Sequence, residues 1–244
     1  MLVSGYSDKG IVRNSNQDAF QIGMTDDGIS WAVVCDGMGG ANSGDIASRL
    51  AADHFSAAIK AGLRPNMTEH SIMNLLRSSA VSANIRVFDK SKESAELSGM
   101  GTTIVACLVI GKTAYFIHAG DSRAYILSGD EFFQITRDHS IVQSMIEDGK
   151  LTVEEARFHP RKNVITRALG VDESIEPEFN VYDLNEGEII LLCTDGLTNF
   201  VDGEDIVKIL KSSSNNDEKA ELLVSVANEN GGGDNITAVV FENK

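Results

Sequence analysis

The chain has 244 residues, 42% of them hydrophobic, enough to fill a substantial core and to exclude a disordered polymer. Lys plus Arg number 21 and Asp plus Glu 36, a formal charge of −15 spread along the chain rather than gathered in a tail. That balance excludes a nonspecific nucleic-acid binder and a protein held by charge on an anionic membrane; most of the acidic residues read as solvated surface.

Residues 2–7 and 18–23 pattern as short strands, and 30–35 as a stronger one. No basic stretch followed by an apolar one opens the chain, so no leader is read there. Gly37, Gly39 and Gly40 break the strand pattern, and a helix is expected over about 43–60. Ile46, Ala47, Leu50, Ala51, Phe55 and Ile59 recur there at helical spacing. A second helix is expected over about 69–90, with Ile72, Leu75, Leu76, Ala80, Ala83, Ile85 and Val87 as its apolar stripe. Both stripes read as core packing. Strand patterns follow at 102–110, 113–118, 122–128 and 131–136, separated by turn-like Gly111-Lys112 and Ser128-Gly129-Asp130. Residues 139–170 are polar, with short helical pieces and the basic residues Arg157, Arg161, Lys162 and Arg167. Strands return at 178–183 and 187–193, helices at 203–212 and 217–229, and a last strand at 235–241. Strands that are not alternated one by one with helices imply an α+β layered domain rather than a doubly wound parallel sheet. No linker or internal repeat divides the chain, so one domain is expected over 1–244. The apolar runs fall short of the roughly 20 residues of a membrane span. Cys35, Cys107 and Cys193 each sit inside an apolar run without CxxC spacing, and read as buried thiols of a reducing, cytoplasmic compartment.

Four aspartates close runs of apolar or small residues. The segments are Trp31-Ala-Val-Val-Cys-Asp36-Gly37, Tyr115-Phe-Ile-His-Ala-Gly-Asp121-Ser122, Ile189-Ile-Leu-Leu-Cys-Thr-Asp195-Gly196 and Gly231-Gly-Gly-Asp234-Asn235. A charge beside a core is costly unless it is paired or bound to metal, and no lysine or arginine recurs next to these aspartates. Carboxylates converging on one spot would repel one another and demand a divalent cation, with Mg or Mn preferring such oxygen ligands. A glycine after the aspartate lets backbone approach the ion, so Asp36-Gly37 offers a carboxylate and a carbonyl together. Each Asp-Gly alone is an ordinary turn; the set reads as a metal site. Arg13, five residues before Asp18, gains a role beside it, because a guanidinium grips a phosphate through two parallel hydrogen bonds. Arginine, metal and carboxylates together suggest phosphoryl chemistry. Two metals about 3.5–4 Å apart would bring a bridging water's pKa toward neutrality, for in-line attack on phosphorus. The five histidines show no HExxH or other close pairing, GxSxG is absent, and so is a GxxxxGK[ST] loop.

The ordered motifs around these residues carry a resemblance. They are Arg13-x-x-Asn16-Gln17-Asp18, Val34-Cys35-Asp36-Gly37-Met38-Gly39-Gly40, Ser98-Gly99-Met100-Gly101-Thr102-Thr103, His118-Ala-Gly-Asp121-Ser122-Arg123, Thr136-Arg137-Asp138-His139-Ser140, Leu192-Cys193-Thr194-Asp195-Gly196-Leu197 and Gly233-Asp234-Asn235-Ile236-Thr237. Across essentially the whole chain, this series resembles the metal-dependent serine/threonine protein phosphatases of the 2C type, in their compact bacterial form. The resemblance implies a four-layer α-β-β-α sandwich, two antiparallel sheets flanked by pairs of antiparallel helices. It also implies two Mn or Mg ions at one end, with a possible third. By motif position Asp36 would bridge the two metals, the Gly37 carbonyl would bind one, and Asp195 and Asp234 the other. Asp18 would act nearby through water, Asp121 with Asp195 would serve the third ion, and Arg13 would hold the substrate phosphate. Residues 139–170 match a variable flap.

Three departures stand out. Met38 stands where many animal members carry a histidine, Ala41 where many bacterial members carry one, and Gln17 where animal members carry a glutamate. None removes a principal carboxylate. The expected activity is hydrolysis of phosphoserine and phosphothreonine on proteins, opposing a serine/threonine kinase in cytoplasmic signalling, by a monomer. The competing readings are a dedicated phosphatase of one regulatory protein, a phosphoprotein-binding pseudophosphatase, and a metal-sensing or storage module.

Overall fold

A computed structural model describes residues 1–39 and 43–242. Gly40 and Ala41, named above, lie outside the described residues. One five-stranded sheet runs β1 (Leu2–Asp8), β11 (Ile236–Glu242), β10 (Ile189–Cys193), β7 (Arg123–Ser128), β8 (Glu131–Gln134). The other runs β2 (Asp18–Met24), β3 (Ser30–Met38), β5 (Ile104–Ile110), β6 (Thr113–Ala119), β9 (Glu178–Asp183), with the two-residue β4 (Gly101–Thr102) also on β3. Every pairing is antiparallel. Helices α1 (Gly44–Gly62) and α2 (Glu69–Ser91) cover the second sheet, and α6 (Gly203–Leu210) and α7 (Asn216–Glu229) the first.

The central strands are buried on both faces, so they read in sequence as unbroken apolar runs although their side chains alternate. Trp31, Val33 and Cys35 face the helices, while Ala32 and Val34 meet Ile190, Leu192, Val239 and Phe241 between the sheets. Ile189, Leu191 and Cys193 face α6 and α7. Burying one large aliphatic or aromatic side chain of this kind contributes about 1.5–3 kcal/mol. The α1 stripe is the buried one expected: Ala47, Ala51, Phe55 and Ile59 are all but inaccessible. On α2, Ile72, Leu76, Ala80, Ala83 and Val87 are buried, but Ile85 is 44% exposed and does not belong to the packed face.

Beside the site, two boundaries differ from expectation. β3 does not break at Gly37 but continues through Met38, so Asp36 lies within a paired strand. The expected strand at 102–110 is divided at Thr103. There the Asp36 N–H donates to the Thr103 hydroxyl at 2.9 Å, while the Thr103 N–H donates to the Asp36 carbonyl at 2.9 Å. A side-chain oxygen has taken a ladder position beside the aspartate. Residues 139–170 form an excursion carrying the short helices α3 (Ile141–Glu147) and α4 (Val153–Arg157). It returns through the bridges Ser140–Ile165 and Thr102–Leu169.

Candidate active site

Topology gathers the aspartates at one end of the sandwich. Asp18 and Asp36 are direct partners in the β2–β3 register. β10 and β11 are antiparallel neighbours, so Asp195, just after one, and Asp234, just before the other, are brought together. Asp195 opens a single-turn helix, α5 (Asp195–Thr198), that the sequence pattern did not suggest. Asn199 Nδ2 donates to Asp195 Oδ2 at 3.0 Å and fixes its carboxylate.

Asp18 joins the two sheets. Its Oδ2 accepts from Thr194 Oγ1 at 2.9 Å and Thr237 Oγ1 at 2.7 Å, both on the opposite sheet's end. Its Oδ1 is buried with no hydrogen-bond partner among the described residues. Asn235 had a place in the motif but no assigned task. In the structure it is the clamp of the arginine loop: its Nδ2 donates to the carbonyls of Lys9 and Ser15, and its Oδ1 accepts from the Gln17 N–H at 2.8 Å. The N–H groups of Ile11 and Val12 donate to the Gly232 carbonyl. Gly10 has φ +79° and lies so close to the Asp234 carbonyl that a Cβ would sit 2.0 Å from it, so only glycine fits.

This loop places Arg13, half exposed, with Nη2 donating to Asp234 Oδ2 at 2.8 Å. No basic residue recurs beside these aspartates in sequence; the partner of Asp234 comes from 221 residues away in the chain. The rest of the set stays largely unpaired. Burial pushes the Asp18 carboxyl up to about 7, against hydrogen bonds from Thr237 and Thr194 that favour its anion, with Asp195 and Asp234 adding repulsion. Asp121 is pushed to about 7 by burial and by Asp195 and Asp138. Asp36 rises well above the usual carboxylate range through burial and then the charges of Asp18, Asp195, Asp121 and Asp234. Asp195 is raised by burial and by Asp234, with Arg123 opposing. A buried oxygen with no partner and a group of mutually repelling, oxygen-only donors fit a hard divalent cation well.

A second cluster escaped the sequence reading, which saw no close histidine pair. His118 and His139 stack with ring centroids 4.7 Å apart and planes 7° apart. With Glu178 they bring three ligand atoms within 4.8 Å of one another. A metal lies in the plane of each imidazole that binds it, and two nearly parallel, stacked planes cannot both contain one ion. The cluster is also already neutralised: Glu178 Oε1 accepts from Arg167 Nη1 at 3.0 Å and meets His139 Nε2 at 3.1 Å. The Gly120 N–H donates to His139 Nδ1 at 3.1 Å, and His118 Nε2 lies 2.8 Å from the Arg137 carbonyl. This is a structural anchor for the base of residues 139–170. Arg123, in the same motif as His118, makes a forked ion pair with Asp138. The three cysteines are buried and unpaired, as expected, and burial drives each thiol upward.

A two-sheet sandwich that gathers aspartates and one arginine at its end defines a metal-dependent phosphatase as the class. The chain matches the protein phosphatase 2C family over residues 11–228 and belongs to that family. It is 36% identical to the serine/threonine phosphatase Stp of Listeria innocua over 236 residues, 97% of this chain and 93% of that protein. Its fold is similar to that of the Streptococcus agalactiae serine/threonine phosphatase, with a TM-score of 0.91 and 34% identity over 98% of both chains. It is also similar to the catalytic domain of the serine/threonine protein phosphatase PstP in complex with two manganese ions. That comparison has a TM-score of 0.84 and 33% identity over 98% of this chain and 96% of the other.

Proposed function

We propose that the chain removes phosphate from phosphoserine and phosphothreonine on proteins, using two Mn or Mg ions, with room for a third. The observation that carries this reading is the carboxylate group itself: Asp18, Asp36, Asp121 and Asp195 are raised by burial and by one another, and Asp18 Oδ1 has no partner. Asp36, the Gly37 carbonyl, Asp195 and Asp234 would hold the two ions, and Asp121 would share the third with Asp195. Asp18 would support the site from the β2 side. When bound, such ions lower the pKa of water enough to supply a nucleophile near neutral pH and offset charge on the phosphoryl oxygens.

The chain's own groups then have distinct tasks. Arg13 sits on a clamped loop at the rim, half exposed, where its guanidinium can exchange Asp234 for a substrate phosphate oxygen pair. Thr194 and Thr237 hold Asp18, and Asn199 holds Asp195, so the carboxylates keep their orientation when a phosphate enters. The Thr103 hydroxyl fixes the backbone at Asp36 and is itself 2.7 Å from Ser122 Oγ, which ties the strand to β7. Met38 bears no proton to give, so it does not protonate the leaving oxygen.

We extend the proposal to the chain's extent and setting. One catalytic domain spans 1–244 with a flap at 139–170. The enzyme opposes a serine/threonine protein kinase in cytoplasmic signalling, acts as a monomer, and takes neither nucleic acid nor membrane as ligand. Among the described residues no helix is long and apolar enough to cross a membrane. The test is turnover of p-nitrophenyl phosphate and of a phosphothreonine peptide with manganese, with chelator, and by Asp36→Asn. Manganese-dependent hydrolysis that the substitution abolishes is expected; no hydrolysis by the manganese-loaded native chain would overturn the reading.

A further inference from the structure

We propose that the groove between Met38 and the returning arm of the flap binds a lysine or arginine of the substrate protein, two or three residues from the phosphorylated one. This assignment rests on the phosphatase reading and gives that same site a sequence preference.

The groove has a volume of about 450 Å³. Its apolar surface includes Met38, Ile165, Val171 and Ile175. Its position is set by the catalytic strand. Asp36 and Met38 are two apart on β3, so their side chains leave the same face about 7 Å apart, at ~3.3 Å per residue. A peptide lying extended with its phosphorylated residue over Asp36 therefore reaches Met38 two or three residues further on.

The opposite wall is held to the same strand. Leu169 and Thr102 exchange backbone hydrogen bonds of 2.8 and 3.0 Å, and Thr102 is the register partner of Gly37. The Thr166 N–H donates to the His139 carbonyl at 2.7 Å. Val171 and Met38 both press on Gly101, where a Cβ would lie 2.9 Å from Val171 Cγ2 and 2.8 Å from Met38 Cε. The groove is thus formed in advance, and a ligand need not order it.

Charge selects the occupant. Asp172 and Glu176 stand exposed on the rim, and neither joins an ion pair among the described residues. Among the described residues Arg167 is the one basic lining residue, and it is already engaged, donating to Glu178 Oε1 at 3.0 Å and to the Glu176 carbonyl at 3.3 Å. An apolar trough with a free carboxylate rim suits a side chain with an aliphatic stem and a cationic head, which is lysine or arginine. An acidic neighbour would meet like charge, within a chain whose formal charge is already −15.

The experiment compares kcat and KM of the manganese-loaded full chain on phosphothreonine peptides. These differ only at the second and third positions on either side of the phosphothreonine, carrying Lys, Leu, Ala or Asp. Lysine at one or more of these positions should raise kcat/KM about fivefold over alanine, mostly through KM, and aspartate should lower it. The double substitution Asp172→Asn, Glu176→Gln changes only exposed groups; it should erase the lysine preference and leave p-nitrophenyl phosphate turnover within about twofold. Val171→Ser, also exposed, should weaken binding of lysine and leucine peptides alike. Equal rates for lysine and aspartate peptides, leucine preferred over lysine, or a lysine preference that survives the double substitution would each overturn the assignment. Loss of p-nitrophenyl phosphate turnover in the native chain would instead overturn the phosphatase reading beneath it.

Discussion

Two clusters of titratable side chains lie near one another at the same end of the sandwich, and they are built on opposite rules. Asp18, Asp36, Asp121, Asp195 and Asp234 are all of one sign, with Arg13 and the more distant Arg123 as their opposing charges. His118, His139, Glu178 and Arg167 are mixed in sign, and Glu178 is met by both Arg167 and His139. Three ligand atoms come within metal reach in the second cluster, yet ring planes and ion pairs exclude an ion there. What marks a cation site is uncompensated charge, not proximity of donor atoms. A neutralised cluster does the other work, holding a loop to a sheet.

The sharpest way to break this contrast is to substitute one member of each cluster. Asp36→Asn should lower manganese-dependent turnover by on the order of a thousandfold, about 4 kcal/mol of lost transition-state stabilisation. His139→Gln should change kcat severalfold at most, through looser placement of the flap. Steady-state kinetics on p-nitrophenyl phosphate measures both, and an equal loss from the two would erase the distinction. Metal removal is the next effect in size. Manganese at a hundred times its Kd should stabilise the fold by about 2.7 kcal/mol, raising the melting temperature by roughly 5–10 °C for a chain of this length. Chelator should reverse the gain. The gain should vanish in Asp36→Asn and persist in His139→Gln.

The two clusters also differ in how far they could be read from sequence. Asp36, Asp121, Asp195 and Asp234 were legible because each closes a run of apolar or small residues, and a charge at such a place asks for a partner, whereas Asp18 follows polar residues and stood out only through its motif. The strands behind them were legible too, since a strand buried on both faces is a continuous apolar word. The end of β3 was set three residues short because Gly37 resembles a strand breaker, whereas here the glycine is paired and a Cβ on it would lie 2.1 Å from the Gly44 carbonyl. The histidine stack was not legible. His118 lies near the end of β6 and His139 begins the flap, and tertiary hydrogen bonds, those between Gly120 and His139 among them, bring the two together. The clamp made by Asn235 was hidden for the same reason, as its partners Lys9, Ser15 and Gln17 lie at the other end of the chain.

Arg13 lies at the border of the carboxylate cluster, and its removal sharpens what that cluster needs. Two charge-assisted hydrogen bonds to phosphate should be worth about 1.5–3 kcal/mol, so Arg13→Ala should lower kcat/KM on a phosphothreonine peptide roughly ten- to a hundredfold. Manganese affinity, measured by calorimetry, should stay within about threefold. Asp234 loses a rival cation in this variant, so any change should be toward tighter metal binding. An equal loss of metal affinity would make Arg13 a support of Asp234 rather than a phosphate ligand.

The smallest expected effect is the opposite response of the two clusters to acid. Asp18 and Asp121 have folded-state values near 7, above the ordinary carboxylate value of 3.8, so between these limits the folded chain binds more protons than the unfolded one. Their contribution to stability without metal grows as pH falls from 7 toward 4. His139 is displaced the other way. Burial first, and then His118, bring it down to about 4 from 6.5, with Glu178 opposing, so between those values it is the unfolded chain that binds the extra proton. Its contribution is lost as pH falls from 6.5 toward 4. Urea unfolding at pH 7 and pH 5 separates the two. With chelator, the carboxylate gain should offset the histidine loss. With saturating manganese, protons must displace the metal, so acid should only destabilise. His139→Gln should then show the shallower fall with acid, and a steeper one would mean that the imidazole is charged in the folded state and belongs to the ion pairs around Glu178.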